Sequence, residues 1–65
     1  MRKPPLAVER AMLVALEYAA RYPKRWHDIG NEATARRAIE LLVKRGVVEV
    51  NHANQYRLKE EATGA

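Results

Sequence analysis

The 65-residue chain contains neither cysteine nor serine, and Asp28 is its only aspartate. Without cysteine, a disulfide scaffold, a thiolate zinc site and a cysteine nucleophile are excluded, and without serine there is no serine nucleophile. The two histidines are His27 and His52, and neither belongs to a cluster of metal ligands in the sequence. His27 and Asp28 are adjacent, so their side chains point in different directions, and we expect both on the surface. The composition therefore predicts no enzyme activity, no catalytic residue, no metal and no cofactor.

The charge balance of the chain is basic. Twelve Lys and Arg residues against eight Asp and Glu residues give a net charge of +4 and a pI near 9.9, which favours an anionic partner. No stretch approaches the roughly 18 consecutive apolar residues of a membrane span. The basic start is followed by an apolar run that Glu9 interrupts, which a signal peptide does not allow. We expect a cytoplasmic single domain (1–65) with an ordered core (5–59) and a frayed tail (60–65).

The first predicted helix covers residues 6–22, between Pro5 and Pro23, because proline suits a helix start and ends a helix that precedes it. Its inward row is predicted to contain Val8, Met12, Ala15, Ala19 and Tyr22. A second apolar row has the spacing of a coiled-coil seam. It consists of Leu6, Leu13, Leu16 and Ala20. We interpret this second row as the interface of a homodimer, which would enlarge the core of a small chain.

Two further helices are predicted in the middle of the chain. Residues 24–29 form a short one, with Trp26 in the core and Gly30 after its end. The next covers residues 31–45, where Asn31 is the predicted N-cap and Gly46 stops the helix. Its inward stripe has the helical spacing i, i+3, i+4, i+7. The stripe contains Ala35, Ala38, Ile39 and Leu42.

The remaining segment changes to the two-residue period of β-structure and predicts a hairpin. Pairing Val50 with Tyr56 and Val48 with Leu58 places four apolar residues on one face. The same register sets Glu49 opposite Arg57 on the other face, a favourable cross-strand pair. It leaves a three-residue loop, 52–54, that ends at Asn54, a residue type that tolerates the left-handed region.

The order of these elements, with the segment Thr34-Ala-Arg-Arg-Ala-Ile-Glu-Leu-Leu-Val-Lys-Arg-Gly-Val-Val-Glu-Val50, resembles a prokaryotic winged helix-turn-helix regulator. The resemblance implies a small α+β fold of three helices followed by a two-stranded wing. It implies a sequence-specific transcriptional regulator that binds double-stranded DNA, with residues 31–45 in the major groove and the wing, 47–58, on the backbone or minor groove. The family's second helix is longer than residues 24–29 allow. When bound to DNA, such a protein is nucleoid-associated.

Candidate DNA contacts follow from this resemblance. Arg36 and Arg37 lie in the N-terminal half of the predicted recognition helix, where arginine reads guanine and Ala33 or Thr34 offers a methyl group to thymine. The other candidates are contacts to phosphate. They comprise Lys24 and Arg25 of the short helix, Lys44 of the recognition helix, and Asn51, His52, Asn54 and Arg57 of the wing. Against these stand a solvated helix face with a Glu40–Lys44 pair, and ordinary turn chemistry for the asparagines.

Two other functions remain open from the sequence. The largely apolar first helix also fits a protein-interaction or assembly module, because common folds host several functions. Trp26 and Tyr18 as stacking platforms would fit RNA or single-stranded DNA. The sequence shows neither a membrane segment nor a small-molecule site.

Overall fold

The computed structural model of the chain describes residues 5–59 and shows an α+β fold. Within this range there are two helices and a three-stranded antiparallel sheet with strand order β1-β3-β2. The elements in chain order are α1 (Leu6–Arg21), β1 (His27–Asp28), α2 (Ala33–Lys44), β2 (Val48–Val50) and β3 (Gln55–Leu58). The predicted tail, 60–65, lies outside the described residues.

Helix α1 agrees with its prediction to within one residue. Its N-cap is Pro5, whose carbonyl accepts hydrogen bonds from the backbone N–H groups of Val8 and Glu9, at 2.9 and 3.0 Å. The helix ends at Arg21, because Pro23 drives the residue before it out of the helical region. The predicted inward row is confirmed for Val8, Met12, Ala15 and Ala19. Tyr22 is exposed instead, since it lies beyond the last helical turn.

The predicted short helix over residues 24–29 is wrong. His27 and Asp28 form β1, which pairs with Tyr56 and Gln55 of β3. The four residues between Tyr22 and His27 turn the chain but do not build a helix. Pairing of the next two residues with β3 satisfies backbone groups that an isolated hairpin leaves open. The fold therefore has a third strand where a winged helix-turn-helix has its second helix, and Gly30, at φ 83°, follows a strand.

Helix α2 is shorter than the predicted range 31–45. Its N-cap is Glu32, whose side chain makes no capping hydrogen bond, so the predicted cap at Asn31 is wrong. The chain is still bending at Asn31 after the positive φ of Gly30, and helical geometry begins two residues later. The predicted stop is confirmed: the N–H of Gly46 donates to Val43 O at 3.0 Å and that of Val47 to Leu42 O at 3.1 Å. These two bonds define a Schellman motif, which glycine favours because it adopts positive φ.

The β2–β3 hairpin has the predicted register. Val48 lies opposite Leu58, Glu49 opposite Arg57 and Val50 opposite Tyr56. Asn54 adopts φ 62°, as predicted for the last residue of the loop.

The core lies between α1, α2 and the inner face of the sheet. Its buried members are Val8, Met12, Ala15, Ala19, Ala38, Ile39, Leu42, Val48 and Tyr56. The prediction that Trp26 belongs to this core is wrong, because Trp26 packs against Arg57 on the opposite face of the sheet. Of the predicted stripe on α2, Ala35 is only half-buried. Neither helix of residues 5–59 is long and apolar enough to cross a membrane.

Asn54 connects the hairpin loop to the segment that precedes α2. Its carbonyl accepts a hydrogen bond from the Ile29 N–H at 3.0 Å, and its side-chain amide donates to Gly30 O at 3.1 Å. Replacement by alanine removes the amide bond and leaves a side chain that disfavours positive φ, so we expect a loss of about 2–3 kcal/mol in unfolding free energy. Asn54→Gly keeps the backbone conformation and should lose about 0.5–1.5 kcal/mol. Urea unfolding of both variants measures the difference, and equal losses would contradict the role of backbone conformation.

Candidate nucleic-acid interface

The solvent-facing side of α2 carries the predicted base-reading arginines and one predicted phosphate contact. The inward side of this helix is occupied by Ala38, Ile39 and Leu42, so Arg36 and Arg37 are left outside the core. Both arginines and Lys44 are exposed, whereas Thr34 is half-buried. The amphipathic pattern of the helix thus presents three cations to solvent on one element.

A groove of about 390 Å³ runs between this side of α2 and the hairpin. Its apolar lining consists of Ile29, Ile39, Val43 and Val50. Its polar lining consists of Arg36, Glu40, Lys44 and Asn54. The structure therefore brings together Arg36, Lys44 and Asn54, three of the predicted site residues, and it places them where the helix meets the hairpin.

The hairpin loop uses its asparagine side chains within the fold. Asn51 Oδ1 accepts hydrogen bonds from the N–H groups of Ala53, at 2.9 Å, and Gln55, at 3.2 Å, and its amide donates to Gln55 Oε1 at 3.1 Å. Asn54 is engaged with Gly30, as described above. These bonds are what turn chemistry predicts for the asparagines. They leave the exposed His52 as the loop side chain that is open to a ligand.

Arg57 lies on the outer face of the sheet, on the opposite side from the buried Val48 and Tyr56. Its guanidinium carbon is 4.3 Å from the centroid of the Trp26 ring, and its Nη2 atom is 3.6 Å from Glu49 Oε1. The Glu49–Arg57 pair confirms the predicted cross-strand contact. Arg57 does not line the α2 groove, and its charge is already partnered.

Lys24 and Arg25 lie in the turn between α1 and β1 and are exposed. Because no helix forms there, the prediction that they belong to a short helix is wrong. The Arg25 guanidinium carbon is 5.8 Å from the Tyr22 ring centroid, a contact at the far end of the cation–π range.

Glu40 is an acidic residue within the basic face of α2, and from the sequence we predicted only a pairing role for it. It lies 4.0 Å from Arg37 Nη1, and both side chains are more than half exposed. Within residues 5–59 its ion-pair partner is thus Arg37 and not the predicted Lys44. An exposed pair of this length contributes little to stability. Its consequence is electrostatic, because a carboxylate beside the groove opposes the binding of an anion.

A histidine–tyrosine cluster was missed at the sequence level. The ring of His27 lies 5.4 Å from Tyr56, 6.2 Å from Tyr22 and 6.4 Å from Tyr18, measured between centroids. His27 is therefore half-buried, contrary to the surface position that we predicted, while Asp28 is exposed. Burial, with a smaller effect of Tyr18, raises the pKa of Tyr56, so its phenol stays neutral at physiological pH. Only the β1–β3 pairing, which the sequence does not signal locally, would have revealed this cluster.

The apolar row that we predicted as a dimer interface is only partly exposed to solvent. Leu6, Leu13 and Ala20 are exposed on α1, while Leu16 is half-buried against the core.

Within the described residues, no group of three or more His, Asp or Glu side chains is placed to hold a metal ion.

Comparison of the chain with protein-family models, with curated proteins and with solved structures finds no match.

Proposed function

We propose that the chain binds double-stranded DNA as a sequence-specific regulator, with α2 in the major groove and the β2–β3 hairpin beside it on the backbone. The observation that supports this proposal is the exposed basic side of α2, whose Arg36 and Lys44 share one groove with the hairpin residue Asn54. A net charge of +4 adds a general attraction to the duplex.

The dimensions of α2 fit this role. Its 12 residues make a rod of about 18 Å in length and 10–12 Å in diameter, and the major groove of B-DNA is about 12 Å wide. Arg36 and Arg37 near the N-terminal end would reach base edges, the position from which recognition helices read sequence. Lys44 lies about 12 Å further along the axis and would contact a phosphate.

The missing second helix changes how α2 would be held on DNA. In a helix-turn-helix, the helix before the recognition helix crosses the DNA backbone and helps to position the motif. Here the N-terminal end of α2 is positioned by β1, which pairs with β3, and by the two hydrogen bonds that Asn54 makes to Ile29 and Gly30. The hairpin is thus joined to both ends of α2: Asn54 holds the segment that precedes the helix, and β2 follows the helix in the chain. It would therefore move with the helix as one unit.

A protein-interaction or assembly module is the second candidate, because Leu6 and Leu13 are exposed on α1. Binding to a duplex of random sequence, with the salt dependence of phosphate contacts, separates the two candidates. The RNA or single-stranded DNA hypothesis has less support. Trp26 is covered by Arg57 on the outer face of the sheet, whereas Tyr18, on α1, packs near His27 of β1. The rings of Trp26 and Tyr18 therefore do not form one stacking surface.

Glu40 provides a gain-of-affinity test of the proposed interface. Glu40→Gln removes a negative charge from the groove and frees Arg37, so we expect duplex affinity to rise about three- to tenfold at low salt. Glu17→Gln changes the net charge equally but lies on α1, and its effect should stay below about twofold. Fluorescence anisotropy with a labelled duplex measures both. Equal gains for the two variants would show that net charge alone, and not the α2 groove, governs binding.

A further inference from the structure

Helix α1 exposes apolar side chains on both flanks of its polar strip. Leu13 is 66% exposed on one flank and Val14 is 50% exposed on the other. The two are adjacent in sequence, but about 100° of helical rotation separates them. Arg10, Glu17 and Arg21 lie between the two flanks.

The flank with Leu13 borders a hollow of about 230 Å³ between α1 and the end of α2. Its lining consists of Glu9, Met12, Leu13, Leu16 and Arg45, and we call it the Leu13 hollow. Its floor is apolar, while its charged residues are one acid, from α1, and one base, from the residue after α2. A surface that carries an apolar projection, a hollow and one charge of each sign can be complementary to a copy of itself.

We propose that a second copy of the chain docks here across a two-fold axis. Leu13 of each protomer enters the Leu13 hollow of the other, and Glu9 of one protomer faces the partner's Arg45. A two-fold contact requires that a residue and its complement lie on the same patch, which Glu9 and Arg45 do. The charge complementarity commits the surface to a second copy, and the inference does not depend on the DNA proposal.

The opposite flank of α1 borders a groove of about 330 Å³ that continues to β1 and α2. Val14 and Tyr18 contribute to its wall, and the only acidic or basic residue in its lining is Asp28. Since it lacks a basic counterpart, this groove offers no charge pairing for a second copy. A smaller hollow beside Val14 and Tyr18 is lined by Glu17 and Arg21, but these two lie one helical turn apart on α1, so each charge already has its opposite as a neighbour on the same helix. Val14 is therefore the matched control for Leu13.

Sedimentation equilibrium without DNA tests the proposed dimer. At a chain concentration of about 100 μM we expect the wild type to sediment as a dimer. Leu13→Glu should weaken the dimer at least 100-fold, roughly the effect of losing a central interface residue. Val14→Glu should change its dissociation constant by less than about threefold. Circular dichroism should show both variants folded, because both side chains are exposed. A monomeric wild type, or a dimer that only Val14→Glu disrupts, would overturn the proposal.

A mixing experiment tests the charge pairing between protomers, and it substitutes only charged residues outside the buried core. Glu9→Arg chains alone, and Arg45→Glu chains alone, face like charges across the axis, so each should dimerise about tenfold more weakly than wild type at low salt. When the two variants are mixed, positions 9 and 45 again carry opposite charges in both contacts across the axis. Heterodimers should therefore form with near wild-type affinity. If mixing restores nothing, these residues do not pair between protomers, and the proposed geometry is wrong.

Discussion

Replacing Leu42 with alanine is expected to lower the free energy of unfolding by about 2–5 kcal/mol. Leu42 is 1% exposed and belongs to the core that joins α1, α2 and the sheet. A domain of 65 residues has a total stability of about 3–10 kcal/mol at the usual value per residue. The substitution should therefore remove a large share of the total stability, as urea titration followed by circular dichroism measures.

Val43→Ala is the matched control for Leu42→Ala on the same helix. Val43 is 39% exposed at the edge of the α2 groove, so its truncation should cost less than about 1 kcal/mol. Both variants need the same chain concentration, because association contributes to apparent stability. Similar losses for the two residues would contradict the placement of the core on one side of α2.

The double variant Arg36→Ala/Arg37→Ala is expected to lower affinity for duplex DNA about 100-fold at low salt. Each arginine is exposed on the side of α2 that we assign to DNA, and a contact to base or phosphate contributes about 1–3 kcal/mol. Both side chains lie outside the buried core, so the variant should remain folded. Fluorescence anisotropy with a duplex of random sequence and with selected sites measures the loss.

Arg10→Ala/Arg21→Ala on α1 removes the same charge from a surface that we do not assign to DNA. It should lower duplex affinity by less than about fivefold, through net charge alone. Comparable losses of affinity for the two double variants would show that the duplex does not bind preferentially to the α2 side.

The elements that the sequence predicted correctly have local signals. Helix α1 lies between two proline positions, and α2 ends at Gly46, whose positive φ completes a Schellman motif. The hairpin register follows from alternation over a few residues, since only one pairing buries Val48 with Tyr56 on one face. In each case the determining residues lie within one helix or one hairpin.

The error at residues 24–29 has a different origin. Strand β1 is two residues long, too short for any period to be visible, and its pairing partners are 27 and 29 positions away. Trp26 and Ile29 are three apart, a spacing that fits a helix as well as a strand followed by a bend. Because Trp26 precedes β1, its side chain falls on the outer face of the sheet, where Arg57 covers it.

The candidate site was predictable only where it depends on one helix. Arg36 and Lys44 are eight residues apart on α2, so helical geometry alone places both on its outer side. The proximity of Asn54 to them results from its hydrogen bonds to the segment after β1, a contact across 24 residues that no local pattern signals. Because β1 was not predicted, the position of Trp26 beside Arg57 was not predicted either. Arg57 was therefore assigned to DNA from the sequence, although it stacks on Trp26 in the fold.

The salt dependence of duplex binding tests the central claim most directly. If about four phosphates are neutralised per protomer, log K for the wild type should fall against log salt with a slope of roughly −3 to −4, beginning from measurable binding at about 50 mM salt. Lys44→Ala should flatten the slope by about one unit, because Lys44 is the α2 residue that we assign to a phosphate. No binding to any duplex at about 50 mM salt, or binding that salt leaves unchanged, would contradict a DNA-binding function for this chain.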